Sequence, residues 1–205
     1  MIQNLIEERQ ERSRDAINRI NEKWSNAQTL CAPILSIPYT TVQKDSEGKV
    51  TSRDHVLNIA PELLDIDTKL VPEERHYGIY KTITYKSEIN MKGQFESINL
   101  SQPDLDIIHW EKAYIRIGIS DLRGVTNNIS FIIDGQSYTA EAGGNTDKYI
   151  GKELIARLGK SILTQSDKPH AFECKMNLNG SSSINYIPIG KTTNVHISGE
   201  WKDPG

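Results

Sequence analysis

The sequence predicts a mainly β fold, an antiparallel sandwich or curled sheet, preceded by one long amino-terminal α-helix. Three observations carry this. The first 24 residues contain no Gly or Pro and space their apolar side chains by three and four. Past Leu30 the chain changes to short β-branched and aromatic runs, and most of its 27 isoleucines lie there, where they suit a half-buried pleated surface better than a helix. Turn residues punctuate these runs, and Asp134-Gly135 is the strongest two-residue hairpin signal among them.

The helix places Ile2, Leu5, Ile6, Ala16, Ile17, Ile20 and Trp24 on apolar stripes at its two ends. Its middle, Glu7 to Asp15, sets four acidic residues against Arg9, Arg12 and Arg14, with Glu8 and Arg12 at the i,i+4 spacing of a solvated ion pair. The helix is expected to stop near Ser25-Asn26. Ile34 to Gln43 reads as a strand, Asp45-Ser46-Glu47-Gly48 as its turn and Val50 to Ile59 as the return, with Pro33 and Pro38 marking the first strand as an edge or bulged one. In Gly78 to Asn90 the odd positions Ile79, Ile83 and Tyr85 alternate with Lys81, Thr82, Thr84 and Lys86, which predicts one buried and one wet face. Trp110 to Ile119 repeats the alternation, with Ile115, Ile117 and Ile119 inward. Ile129 to Ile133 and Gln136 to Glu141 flank the Asp134-Gly135 turn. Asn179-Gly180, with a looser loop through Ser181 to Ser183, is expected to join Ala171–Leu178 to Ile184–Ile189 as a second hairpin. Lys152 to Leu158 reads as a short helix inside the β region.

Composition excludes several classes of function. The chain carries 24 Lys and Arg against 27 Asp and Glu, spread evenly: residues 1 to 100 hold 13 basic and 15 acidic, the remainder 11 and 12. No basic tract favours nucleic acid. The longest apolar runs, such as Ile129-Ser130-Phe131-Ile132-Ile133, fall far below the roughly 18 residues of a membrane-spanning helix. The two cysteines, Cys31 and Cys174, lie outside any Cys-x-x-Cys spacing and read as reduced, buried thiols.

No segment declares a reaction. The five histidines lack metal-site spacing and read as polar surface or rim residues, so neither a metal nor another cofactor is expected. Ser120-Asp121 has no Gly-x-Ser-x-Gly elbow, and Gly143-Gly144-Asn145 lacks the residues of a phosphate loop. Asp121-Leu122-Arg123-Gly124 closes a strand with a carboxylate and a guanidinium two residues apart. It reads as a turn locked by charge-assisted bonds to backbone, with ligand recognition as the competing role. Trp110, Trp201, Tyr77, Tyr80 and Tyr114 are either sheet and corner packing or a stacking platform for carbohydrate. Trp110, Tyr114, Asp121, Arg123 and Trp201 are thus the candidate ligand-contacting or structural signature, and no catalytic residue is expected.

Several segments together resemble the CreD family of bacterial inner-membrane proteins. They are Leu5-Ile6-Glu7-Glu8-Arg9; Trp24 with Gln28 and Pro33-Ile34-Leu35-Ser36-Ile37-Pro38-Tyr39; Tyr77-Gly78-Ile79-Tyr80 with Tyr85, Gly93 and Phe95; and, most specific, Trp110 with Ala113-Tyr114 through Gly118-Ile119-Ser120-Asp121-Leu122-Arg123-Gly124, followed by Val195 to Trp201 and Pro204. Cys31 departs from the pattern, standing where glycine is expected. The resemblance implies a polytopic protein of the cell envelope, associated with envelope stress, whose extracytoplasmic β-rich domain faces the periplasm between transmembrane helices absent from this chain. Residues 1–25 are then a juxtamembrane helix and 26–205 the domain. Expected partners are envelope proteins or polymers and the membrane, not nucleic acid; a carbohydrate- or peptidoglycan-fragment-binding module is the alternative. On this reading the start of the helix and Pro204 lie on one side of the fold, with Trp201 near the lipid.

Overall fold

A computed structural model describes residues 2–98, 107–143, 151–159 and 168–200, the side chains of 2–5 and 19–23 excepted. In chain order the elements are α1 (Ile2–Trp24), β1 (Gln28–Cys31), β2 (Ile34–Lys44), β3 (Val50–Ile59), β4 (Leu63–Tyr77), β5 (Tyr80–Phe95), β6 (Ile107–Ile108), β7 (Tyr114–Ile119), β8 (Ser130–Ile133), β9 (Gln136–Thr139), β10 (Glu141–Ala142), β11 (Lys152–Arg157), β12 (His170–Ser181), β13 (Ile184–Ile187) and β14 (Thr192–Gly199). The mainly β expectation with a leading helix holds.

The strands form two sheets. In one, β10, β11 and β7 are adjacent, β1 and β2 share the other edge of β7, β13 lies beyond β1, and β3 and β6 pair with β2. The other runs β14-β4-β5-β12-β8-β9. Each sheet contains one parallel pair, β1 with β13 and β4 with β14, so both are mixed where antiparallel pairing was expected. Their inner faces meet in a single core. Ile115, Ile117 and Ile119 of β7, all fully buried, belong to the same cluster as Leu64, Met91, Phe131, Cys174 and Leu178 of the other sheet. Each such side chain contributes roughly 1.5–3 kcal/mol of transfer free energy. Tyr186 of β13 reaches across to Thr68 of β4, their hydroxyls 2.6 Å apart.

Five local expectations are corrected. Lys152 to Arg157 is the strand β11, paired with β7 from Lys152↔Ile119 to Arg157↔Tyr114. A seven-residue helix is marginal by itself, and here Leu154 and Ala156 gain burial while Glu153 meets Arg116 at 2.7 Å. Asn179-Gly180 makes no hairpin. Both continue β12 opposite Lys86 and Tyr85, and Gly180 is required because a Cβ there would lie 2.2 Å from the Tyr85 hydroxyl oxygen. The chain instead turns at Ser182 (φ 63°) and crosses to the other sheet. Ile79 is 90% exposed in the β4–β5 turn, and Thr82 and Thr84, expected wet, are buried. Trp110 opens a short 3-10 turn, so the strand begins at Tyr114. Pro38 is tolerated because β2 is bordered by β7 at Ile34–Ser36 and by β6 at Tyr39–Thr40, leaving the proline at the break between them; β2 is an interior strand, not an edge.

The sandwich has two distinguishable poles. β4 and β5 form a long ribbon with its turn at Gly78-Ile79, and Arg12, Asp15 and Ala16 of α1 line a recess with Tyr77 to Tyr80. β14, parallel to β4, runs toward that same tip and reaches Gly199 opposite Leu70. The other two short turns lie at the far pole. β13 starts beside Tyr85, whose hydroxyl donates to Ser183 O, and the chain after it reaches Pro61 at the base of β4. β1 is parallel to β13, and β2 continues along the same edge of β7 toward the Asp45–Gly48 turn. Ile133, before the Asp134-Gly135 turn, pairs with Phe172, which pairs with Gly93 near the base of β5.

Candidate functional site

The densest buried polar arrangement forms where α1 hands the chain to β1. Asp121 follows β7 and caps the 3-10 turn Leu122–Gly124, accepting a hydrogen bond from Arg123 N at 3.1 Å. The Arg123 side chain returns to the same carboxylate through Nε (3.0 Å) and Nη2 (2.7 Å). From the helix exit, Ser25 Oγ and Asn26 N donate to Asp121 Oδ2 at 3.2 and 3.4 Å. Gln28 of β1 completes the knot. Its Oε1 accepts from Ser120 Oγ and Asp121 N, while Nε2 contacts Ser25 Oγ at 2.7 Å, Asp121 O at 3.0 Å and Asn179 O of β12 at 3.2 Å. A Cβ on Gly124 would stand 2.3 Å from Asn179 O and 2.5 Å from Gln28 Nε2, so only glycine fits.

The Arg123 guanidinium beside it, aided by the backbone N–H groups of Arg123 and Asn26, holds the Asp121 carboxyl well below the usual carboxylate range against the cost of burial. The carboxylate is therefore a fixed anion spent on structure. One step earlier, Trp24 lies on the outer face of the second sheet with Arg75 4.6 Å and Lys86 5.8 Å from its ring, and its indole N–H approaches Tyr85 O at 3.4 Å. Glu73 pairs with both cations. Helix, first sheet and second sheet are thus tied within a few residues.

A family model described as Inner membrane protein CreD matches residues 1–205. The chain belongs to the CreD family. It is 25% identical over 207 residues to Inner membrane protein CreD of Escherichia coli (strain K12), covering 100% of this chain and 45% of that relative, so it spans about half the relative's length. No helix among the described residues is long and apolar enough to cross a membrane.

In this CreD-family chain, Asp121 and Arg123 meet as the turn-locking reading requires. Trp110 and Tyr114 lie together at the entry to β7, half-buried, while Tyr77 and Tyr80 face each other across the ribbon tip of the other sheet at the opposite pole. The stacking platform, the alternative to sheet and corner packing, is therefore not assembled from these four. Trp201 and Pro204 lie outside the described residues, as do Gly144 and Asn145. Cys31 and Cys174 are buried and form no disulfide, and burial pushes the Cys174 thiol up to about 12. Among the described residues no group of three His, Cys, Asp or Glu could hold a metal.

Sequence reasoning missed two participants. Ser25 and Gln28 gave no local chemical signal, and only the joint appearance of Trp24, Gln28 and the Asp121 segment pointed at the junction. His170 is buried, not the surface residue expected, with Nδ1 2.7 Å from Asp134 Oδ2.

Proposed function

We propose that the chain is the periplasm-facing domain of a membrane-anchored envelope protein, non-enzymatic, which engages other envelope proteins or polymers. The observation that carries this reading is that α1 enters the domain from the ribbon-tip pole and β14 leaves it heading toward that pole. A domain inserted between membrane-spanning segments must return both ends to one bilayer surface, and the outer ends of α1 and β14 point to the same pole. The junction supports the non-enzymatic part. Its carboxylate, guanidinium, amide and hydroxyl groups are consumed by bonds that fix the helix to the domain, an arrangement suited to passing force or orientation between membrane and sandwich.

The orientation is tested in cells. Full-length protein bearing Glu47→Cys, in the turn farthest from the ribbon tip, is treated in intact spheroplasts with a membrane-impermeant maleimide. Labelling without lysis is expected, and labelling only after lysis would overturn the outward orientation. Photo-crosslinking from exposed positions of β3 then asks for an envelope protein or glycan partner; a substrate turned over by the purified domain would replace the non-enzymatic reading.

A further inference from the structure

Three short turns close hairpins in the described chain, and they differ in chemistry by pole. Asp45-Ser46-Glu47-Gly48 follows ordinary turn chemistry: Asp45 Oδ1 accepts from Glu47 N and Lys49 N at 3.0 and 2.8 Å, and Gly48 takes φ +83°. Asp134-Gly135 takes φ +48° and +85°, the mirror-image turn that such a pair favours. Both are polar and lie at one pole. The third, Tyr77-Gly78-Ile79-Tyr80, lies at the other. Gly78 (φ +62°) supplies the strained position of a two-residue turn, but nothing in the turn requires isoleucine at the next. Ile79 is 90% exposed, so core packing does not account for it, while Tyr77, 45% exposed, divides its surface between solvent and the recess with α1. Apolar side chains held at a loop tip, flanked by tyrosines, match the composition of the membrane–water interface. The amino-terminal end of α1 and the carboxy-terminal end of β14 both point to this pole, and that supplies the occupant.

We propose that the β4–β5 tip seats in the interfacial layer of the phospholipid bilayer, with Ile79 below the headgroups and Tyr77 and Tyr80 at their level. This rests on the anchoring described under Proposed function and adds a third contact with the membrane. It also constrains the helix. Residues 2–11 of α1 extend past Arg12, beside the tip, by about 15 Å at 1.5 Å per residue, so an upright α1 would hold the tip off the surface. Contact therefore requires α1 to lie oblique to the bilayer, its charged middle among the headgroups.

The test uses full-length protein in phosphatidylethanolamine–phosphatidylglycerol liposomes, with Ile79→Cys or Glu47→Cys carrying an environment-sensitive fluorophore. Cys31 and Cys174 are buried, and one label per chain verifies that they stay unreacted. The expected result is blue-shifted emission at position 79, lost when doxyl-labelled lipids replace ordinary ones, beside water-like, unquenched emission at position 47. Water-like emission at 79 would overturn the proposal, as would a blue shift that doxyl lipids leave intact, since that reports burial against protein. Because the spheroplast labelling reads position 47 alone, failure of the tip contact and failure of the outward orientation are separable. Ile79→Asp should leave the thermal midpoint unchanged and abolish lipid quenching at a label on Tyr77→Cys. Retained quenching there would equally overturn the proposal.

Discussion

Two glycine-bearing turns, Asp121 to Gly124 and Asp134-Gly135, look alike in sequence and differ in what they hold. In each, an aspartate lies 2.7 Å from a basic side chain. Asp121 is buried and joins Ser25 and Asn26 of the helix exit, 96 and 95 residues away, whereas Asp134 is exposed and reaches only the adjacent strand β12, at His170 and Ala171 N, 36 and 37 residues away. The glycines differ in the same sense. Gly124 has no unusual φ but is surrounded, and Gly135 takes φ +85° with open space where a Cβ would go. One turn is demanded by tertiary packing and the other by backbone conformation. That difference predicts how each will fail.

Gly124→Ala should give the largest effect. The added methyl would meet a backbone carbonyl, which cannot swing aside, and the terminal Gln28 amide, which its hydrogen bonds hold in place, so the junction must open. A loss of about 3 kcal/mol or more is expected, read from urea denaturation of the domain. A loss near that of Gly135→Ala would erase the distinction between the turns.

Asp121→Asn comes next, with about 2 kcal/mol expected, because the Ser25 and Asn26 donors and the guanidinium lose their anion while shape is kept. Arg123→Ala should cost less, about 1 kcal/mol, since its side chain is half exposed and water replaces part of what it gives. The pH dependence sharpens this. The folded Asp121 carboxyl titrates below its unfolded value of about 3.9, so its stabilisation is fully present above that value and is lost as pH falls below it. Wild type should lose stability as pH drops from about 5 into this acid range more steeply than Asp121→Asn. Parallel acid limbs would show that the carboxylate contributes nothing through its charge.

The same contrast explains what the sequence made legible. Alternation in Ile115, Ile117 and Ile119, the helix through Trp24, and the Asp45–Gly48 and Asp134-Gly135 hairpins were readable because each is encoded within a few neighbouring residues. The Asp121–Arg123 lock was readable for the same reason, its partners lying two positions apart. What failed was set at a distance. Lys152–Arg157 has helix-forming residues but fills the open edge of β7, and Gly180 is a glycine because of the Tyr85 ring, not because the chain turns there. The parallel pairing of β1 with β13, more than 150 residues apart, leaves no periodic mark at all. Gln28 belongs to this class: an amide has no chemical signature until Ser25, Ser120, Asp121 and Asn179 have been brought around it.

The smallest effect should come from Gly135→Ala, and it isolates the backbone contribution. No atom lies within 4 Å of the built Cβ, so no clash adds to the cost. What remains is the left-handed conformation, for which an L side chain costs roughly 1–2 kcal/mol, partly offset because alanine has fewer unfolded conformations to lose than glycine. The net loss expected in urea denaturation is about 1 kcal/mol. Asparagine tolerates this region better than alanine, so Gly135→Asn should recover part of that loss. At Gly124 the same replacement should be worse than alanine, because there the obstacle is volume. If asparagine ranked the same way against alanine at both positions, the two glycines would be serving one purpose, and the division into a packed junction and an ordinary hairpin would have to be given up.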